Sequence, residues 1–129
     1  MATRSRIGIQ FEDKTVLSCY HHWDGYPEWL GRILKTHYND RSKALILIAG
    51  GDMSSCWTTS RWDDSADGTY GPEYYSQRGE SCPPRKDANV TEYLTNGEQY
   101  SYLYTLDDEW VCYNSDQNLV SIPNESLCN

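Results

Sequence analysis

The residues with the richest chemical potential lie near the start of the chain, in the stretch CYHHWDGYPEWLG at positions 19–31. Cys19 and His21 are two residues apart, so on a strand they would share one face and could form a nucleophile–base pair. His22 and Asp24 add side chains that could bind a metal ion or serve a small hydrolase. The stretch therefore predicts either a reactive site or a packed corner.

The spacing favours the packed corner. Adjacent histidines on a strand point to opposite faces, and the HExxH spacing of zinc proteases is absent. Asp24 begins a turn that leads into a helix, where its carboxylate would accept N–H bonds. We expect a structural corner in which one histidine faces inward, formed by His21, His22, Trp23, Asp24, Pro27 and Trp29. No metal ion or cofactor is predicted.

A second group of candidates lies in the polar, aromatic stretch 52–86. Arg78 beside Gly79 could bring a guanidinium and a close backbone to an anion, and two neighbouring tyrosines could stack on a base or on a partner's side chain. The predicted ligand- or partner-binding residues are Trp57, Arg61, Trp62, Tyr74, Tyr75, Arg78 and Glu80. The alternative interpretation is a strand that ends in a turn, with an Arg78–Glu80 surface pair of little energetic value.

The charge and the aromatic content limit the class of partner. The net charge is −8, and such a surface repels phosphate backbones, so general nucleic-acid binding is not expected. An acidic surface could meet a basic patch on a partner protein, or it could simply keep the protein soluble. The chain has eleven tyrosines and five tryptophans, which suit interfaces as well as small cores. The carboxylate pairs Asp63-Asp64 and Asp107-Asp108 are interpreted as turn residues.

The cysteines and the apolar runs indicate the compartment. Five cysteines without a CxxC pair argue against a zinc ribbon and against a disulfide framework, and they favour thiols in a reducing compartment. No apolar run approaches the roughly 20 residues that a membrane helix needs. The first ten residues lack the apolar segment of a secretory signal, so we expect a cytoplasmic protein.

Hydrophobic periodicity predicts two β-hairpins and three helices. Alternation of apolar and polar residues predicts strands at 5–11 and 15–22, and again at 99–105 and 109–114. Helical spacing predicts one helix at 27–38 and another at 41–49, the second capped by Asp40 and ended by Gly50-Gly51. Asp87 is expected to cap a third helix at 88–95.

The remaining segments are less regular. Short strands are expected at about 56–60 and 72–77, with a mobile stretch near 62–71 and a loosely held tail at 115–129. Two hairpins cannot bury their apolar faces alone. The 129 residues therefore predict a single α+β domain, in which the N- and C-terminal hairpins form one antiparallel sheet and two or three helices pack on one face.

Several segments resemble a family of small uncharacterised proteins of tailed phages and prophages. The shared features include Arg-Ile-Gly in the first strand, HWDGYP at 22–27, Leu30-Gly31, Arg78-Gly79-Glu80 and Gly97-Glu98. The resemblance spans nearly the whole chain, which differs in having extra aromatics and cysteines between 56 and 82. It implies no residue roles, but it implies a context in which small acidic proteins act by binding.

These observations predict a phage accessory protein that acts by binding and inhibits a host or defence protein in the host cytoplasm. One alternative is a protein that binds or sequesters a small nucleotide through Arg61, Arg78 and nearby aromatics. A further alternative is a small hydrolase that uses His21, His22, Asp24 or Cys19. The oligomeric state and a role inside the virion stay open.

Overall fold

The computed structural model describes residues 3–22, 25–55, 73–74 and 82–122. Within these ranges the chain forms eight strands and three α-helices. The strands are β1 Ser5–Gln10, β2 Val16–His21, β3 Met53–Ser55, β4 Glu73–Tyr74, β5 Arg85–Asp87, β6 Tyr100–Tyr104, β7 Trp110–Asn114 and β8 Leu119–Val120. The helices are α1 Arg32–His37, which continues a π-helical turn at Pro27–Gly31, α2 Arg41–Ala49 and α3 Val90–Leu94.

The strands form one open sheet in the order β4-β3-β2-β1-β6-β7-β8. β5 lies beside β3 along the same edge of β2, because β3 pairs at His21 and β5 pairs at Val16–Ser18. Most neighbours are antiparallel, and the parallel pairs are β1 with β6 and β2 with β3. The predicted α+β class and the mostly antiparallel sheet are confirmed.

Both predicted hairpins are present, but they are joined in a way that the sequence did not indicate. β1 pairs with β2 and β6 pairs with β7 in antiparallel register, as expected. The two hairpins meet through a parallel pair, in which Ile7 of β1 lies opposite Tyr102 of β6. Because β1 and β6 run in the same direction, the turns that follow them lie at the same end of the sheet.

The three hairpin turns have the same backbone geometry. In the β1–β2 turn the Phe11 N–H donates to the Thr15 carbonyl at 2.9 Å, and Lys14 adopts a φ of 75°. The β6–β7 and β7–β8 turns repeat this arrangement, with left-handed φ angles of 59° at Asp108 and 65° at Gln117. A turn of this length needs one left-handed residue to keep the strands in register.

The main hydrophobic core lies between one face of the sheet and the helices α1 and α2. It contains Ile7, Ile9, Cys19, Leu30, Ile33, Leu34, Tyr38, Ala44, Leu47, Ile48, Met53, Tyr102, Tyr104, Trp110 and Cys112. At Gly31 the helix approaches its neighbours closely, since a Cβ there would lie 2.8 Å from Ile122 Cγ2 and 3.4 Å from Tyr102 Cε1. This contact accounts for a glycine inside a helix, where it costs about 1 kcal/mol relative to alanine.

α3 packs on the opposite face of the sheet, so the helices are not all on one side. Tyr93 of α3 forms a smaller cluster with Val16 and Leu103. Its hydroxyl donates to the Tyr102 carbonyl at 2.5 Å, and its ring lies directly on Gly8. The expected helix at 88–95 exists, but Asn89 caps it by accepting from Glu92 N–H at 2.8 Å. Asp87, the predicted cap, instead ends β5.

The other predicted helices agree closely with the structure. The predicted helix at 27–38 is present from Pro27 to His37, with a π-helical first turn and Tyr38 as its C-cap. In α2 the Asp40 carboxylate accepts the Lys43 N–H at 2.7 Å, which is the predicted cap. Gly51 follows the helix with a φ of 89°, the left-handed conformation that glycine adopts without strain.

The short strands differ more from their predictions. β4 overlaps the predicted strand at 72–77, while residues 56–60 and 62–71 lie outside the described part of the chain. β3, β5 and β8 were not predicted, because each is too short to show alternation. The predicted loose tail at 115–129 begins with the β7–β8 turn and contains β8, which pairs with Cys112 and Tyr113 of β7, and residues 123–129 are not described.

The contact between Gly8 and Tyr93 gives a test of the second face. A Cβ at Gly8 would lie 2.9 Å from Tyr93 Cζ, so we expect Gly8→Ala to lower the free energy of unfolding by about 1–3 kcal/mol through overpacking. Urea denaturation measures the change. In a Tyr93→Leu background the same substitution should cost clearly less. Equal costs in the two backgrounds would contradict the contact.

Candidate functional site

His21 lies inside the protein. It is fully buried, and its Nδ1 lies 3.3 Å from the Ser5 hydroxyl on the neighbouring strand. Burial, and to a smaller extent the nearby His22, lowers the pKa of His21 from 6.5 to about 3. The imidazole is therefore neutral at physiological pH and acts as a hydrogen-bonding part of the interior.

His22 has a different environment, although it is the next residue. It is half-buried, and its Nδ1 lies 2.6 Å from the hydroxyl of Tyr20. The backbone N–H of Tyr20 in turn donates to Asp52 at 2.8 Å. Side chains alternate along a strand, so the two imidazoles point in opposite directions. Among the described residues, no three metal-binding side chains converge on one point.

The rest of the described corner joins the first strand to the first helix. Gly25 donates its N–H to the Thr3 carbonyl at 2.9 Å, and its own carbonyl accepts from the Tyr102 hydroxyl at 2.6 Å. Pro27 is buried where the helix begins, and Trp29 packs, half-buried, against the main core. Trp23 and Asp24 lie outside the described residues.

The cysteine that could pair with a histidine is also internal. Cys19 lies on the same face of β2 as His21, the face that packs against α1 and α2, and it is fully buried in the main core. Cys112 is buried on the same face, and burial raises its pKa to about 12. A thiol with so high a pKa stays protonated and is a weak nucleophile at neutral pH.

The predicted binding residues fall almost entirely on the part of the chain that is not described. Trp57, Arg61, Trp62, Tyr75, Arg78 and Glu80 lie outside it. Tyr74 is described through its backbone, which pairs in β4 with Met53 of β3. The proposed role of these residues in binding stays a prediction.

The described part of the chain carries a different candidate surface at one end of the sheet. The β1–β2 and β6–β7 turns lie together there, because β1 and β6 are parallel neighbours. We call this surface the acidic end, and we define it by the five carboxylates of the two turns: Glu12, Asp13, Asp107, Asp108 and Glu109. All five are exposed, and hydrogen bonds from the Thr15 side chain and backbone lower the pKa of Asp13.

Two clefts flank Asp108 at the acidic end. One, with a volume of about 410 Å³, is lined by Phe11, Glu12, Arg41, Leu106 and Asp108. The other, of about 220 Å³, is lined by Lys35, Asn39, Tyr104, Asp108, Glu109 and Trp110. Each cleft therefore combines apolar or aromatic side chains with carboxylates and one basic residue, Arg41 in the larger cleft and Lys35 in the smaller.

Arg41, the first residue of α2, links the two strand ends that lead into the acidic end. Its guanidinium donates to the Gln10 carbonyl at the end of β1 and to the Thr105 carbonyl after β6, both at 2.9 Å. Its Nε lies 3.4 Å from Asp108, and its Cζ lies 5.3 Å from the centre of the Tyr104 ring. One side chain thus joins the two strands and a helix just where the two turns begin.

Aromatic contacts also tie this end of the sheet to the helices. The Trp110 indole N–H donates to the Tyr38 carbonyl at 2.7 Å, which ties β7 to the end of α1. The Trp110 and Tyr104 rings meet edge to face, with their centres 5.3 Å apart. The Asp108 side chain is 66% exposed above this support, so a partner can reach it without rearrangement of the fold.

The sequence contained the parts of this surface but not their proximity. Asp107 and Asp108 lie in a turn, as the sequence predicts, and the backbone hydrogen bonds of that turn confirm it. Glu12 and Asp13 lie in the loop of the other predicted hairpin. Only the direction in which the two hairpins join brings the two turns together, and hydrophobic alternation carries no information about that direction.

Comparison with known proteins adds no relative. The chain matches no protein-family model, and searches among curated proteins and solved structures gave no match. The resemblance to the family of phage proteins therefore stays a prediction. In the described part of the chain, every helix is too short or too polar to cross a lipid bilayer.

The burial of His21 predicts a specific response to acid. Its pKa is 6.5 when unfolded and about 3 when folded, so within this range the unfolded state binds a proton that the folded state does not. The part of the free energy of unfolding that depends on a neutral His21 is complete above pH 6.5 and is lost as the pH falls. Below pH 6, stability should fall more steeply in the wild type than in His21→Gln, by about 1.4 kcal/mol per pH unit. Denaturant titrations at several pH values measure the difference, and parallel slopes would show that His21 takes up its proton in the folded protein.

Proposed function

We propose that the protein acts by binding a protein partner, and that the acidic end is the surface that makes the contact. The observation that carries this proposal is the convergence of two carboxylate-rich turns beside clefts with apolar walls. A partner with a basic surface would be attracted by the charge and oriented by the clefts.

The larger cleft suits a lysine or arginine side chain of such a partner. Phe11 and Leu106 offer apolar surface for the methylene stem, while Glu12 and Asp108 offer carboxylates for the charged group. Arg41 already lies beside Asp108, but the Asp108 side chain remains largely exposed and keeps acceptor capacity. Two oppositely charged groups that meet at a partly shielded rim attract more strongly than in open water.

The partner that we propose is a host or defence protein, which the phage context of the sequence resemblance suggests. Binding at a basic surface would block any anionic ligand that the same surface normally binds. The acidic end needs no metal ion or cofactor for this role. The protein would thus act as an inhibitor by occupying a site.

The other functions considered from the sequence have less support in the described residues. The nucleotide hypothesis depends on Arg61 and Arg78, which lie outside them. The hydrolase hypothesis depends on His21 and Cys19, which are both fully buried, on His22, which is half-buried and hydrogen-bonded to the Tyr20 hydroxyl, and on Asp24, which is not described.

Asp108→Asn tests the role of the acidic end. Asparagine tolerates the left-handed backbone at this position, so the fold should persist with one carboxylate removed. We expect the affinity for a labelled peptide rich in arginine and lysine to fall by roughly twofold to tenfold at low salt, measured by fluorescence anisotropy. The affinity of the wild type should also fall steeply with added salt.

Asp116→Asn provides the matched control, because Asp116 is exposed in the β7–β8 turn at the opposite end of the sheet. It removes the same charge and should leave the affinity almost unchanged. The same three proteins, used as baits in a bacterial lysate, should retain a basic protein with wild type and Asp116→Asn but much less with Asp108→Asn. Equal retention by all three, or equal peptide affinity, would refute the acidic end as the binding surface.

A further inference from the structure

Arg41 is a positive residue within the acidic end, and its place in the helix does not explain why it is there. It is the first residue of α2, and the first turn of that helix contains no acidic residue. The helix dipole is positive at this end, so it opposes a cation in the first turn. Arg41 is therefore favoured by contacts that it makes outside its own helix.

The guanidinium of Arg41 uses each of its three nitrogens for a different residue of the two hairpins. Nη1 donates to the Gln10 carbonyl and Nη2 to the Thr105 carbonyl, both at 2.9 Å. Nε lies 3.4 Å from Asp108 Oδ1, and the centre of the Tyr104 ring lies 5.3 Å from Cζ. Because a guanidinium is planar and rigid, these bonds fix the residues relative to one another.

The bonds of Arg41 extend the joint between the hairpins beyond the last paired residues of the strands. The parallel register of β1 and β6 ends with Ile9 opposite Tyr104. The carbonyls that accept from Arg41 belong to the next residue of each strand, Gln10 and Thr105. Arg41 thus connects the two chains at the point where each enters its turn.

The larger cleft depends on the spacing between these two turns. Hydrogen bonds within each hairpin close the turns separately. The cleft needs both of them, since Phe11 and Glu12 come from the first turn, while Leu106 and Asp108 come from the second. The position of Arg41 between the turns therefore affects whether the two carboxylates line one cleft.

We propose that Arg41 is the positioning residue of the acidic end, and that it strengthens the binding of a cationic partner although it is itself a cation. Its bonds hold the turns at the spacing at which Glu12 and Asp108 line one cleft. A single lysine or arginine side chain of the partner then meets both carboxylates. This role presupposes that the acidic end binds a cationic partner, as proposed above.

Arg41 has two opposite effects on such a partner. Its charge repels the partner, but it already engages two carbonyls and Asp108, and solvent screens it, because the Arg41 side chain is 35% exposed. Its bonds also order the two turns before the partner arrives, which spares the complex the entropy of ordering them. We expect the second effect to be the larger.

Two substitutions separate positioning from charge. Arg41→Gln removes both the charge and the fork of donors, whereas Arg41→Lys keeps the charge but lacks a planar fork that can hold both carbonyls. Both variants should bind the labelled peptide rich in arginine and lysine more weakly than the wild type, by roughly threefold to tenfold in fluorescence anisotropy at low salt. Tighter binding by Arg41→Gln, with Arg41→Lys equal to the wild type, would overturn the proposal, because it would show that only the charge matters.

Two control variants distinguish positioning from a general loss of charge or stability. Lys43→Gln removes the same charge from the same turn of α2, where Lys43 Nζ lies 3.9 Å from Asp40, and it should not weaken binding. Gly8→Ala should lower the stability through the opposite face of the sheet and leave the peptide affinity unchanged. Affinities are compared at a temperature at which circular dichroism shows each variant to be folded. A loss of affinity in either control equal to that in Arg41→Gln would also refute the positioning role.

A second measurement needs no partner. The β7–β8 turn has the same backbone geometry as the other two turns but lies at the opposite end of the sheet from Arg41. In ¹⁵N relaxation experiments, Arg41→Gln should lower the backbone order parameters at Glu12 and Asp108 and leave that of Gln117 unchanged. Unchanged values in all three turns would contradict the proposal. If the wild type binds no peptide, the proposed function fails, and the ordering of the turns by Arg41 is judged from the order parameters alone.

Discussion

The parallel pairing of β1 with β6 is the constraint on which the rest of this structure depends. β1 lies between β2 and β6, and its residues from Ser5 to Ile9 are buried on both faces. The pairing puts Ile7 beside Tyr102 under the helices, and on the other face it puts Gly8 beside Leu103 under α3. Arg41 reinforces it by donating to a carbonyl of each hairpin at the same end. Loss of this pair would separate both cores at once.

The aromatic residues stabilise this arrangement because each combines a large apolar surface with one polar group. Three such groups reach backbone carbonyls on distant elements: the hydroxyl of Tyr93 on β6, the hydroxyl of Tyr102 at the helix entrance, and the indole of Trp110 at the end of α1. Each bond fixes the position of one layer relative to another. The abundance of tyrosine and tryptophan is therefore explained in part by the interior, and it is not by itself a sign of an interface.

Charge is distributed along β1 in a way that the net charge of −8 conceals. The strand begins beside arginines and ends at a turn rich in carboxylates, and the two regions lie about 20 Å apart. Their environments also differ, since Arg6 is almost completely buried whereas Asp108 is largely exposed. A shielded cation interacts strongly with the few polar groups around it, here the Ser18 oxygens, while an exposed cluster of carboxylates acts on a broad surface.

The sequence by itself determined the local elements. Alternation placed both hairpins, helical spacing placed α1 and α2, and Asp40 and Gly51 marked the ends of α2, because each signal arises within a few residues of chain. It also placed Asp107 and Asp108 correctly in a turn. Only the tertiary structure decided that the hairpins join in parallel, that α3 covers the second face, and that Glu12 lies near Asp108. These outcomes depend on contacts between residues about 90 positions apart, which local periodicity does not encode, and so the acidic end became visible only in the folded chain.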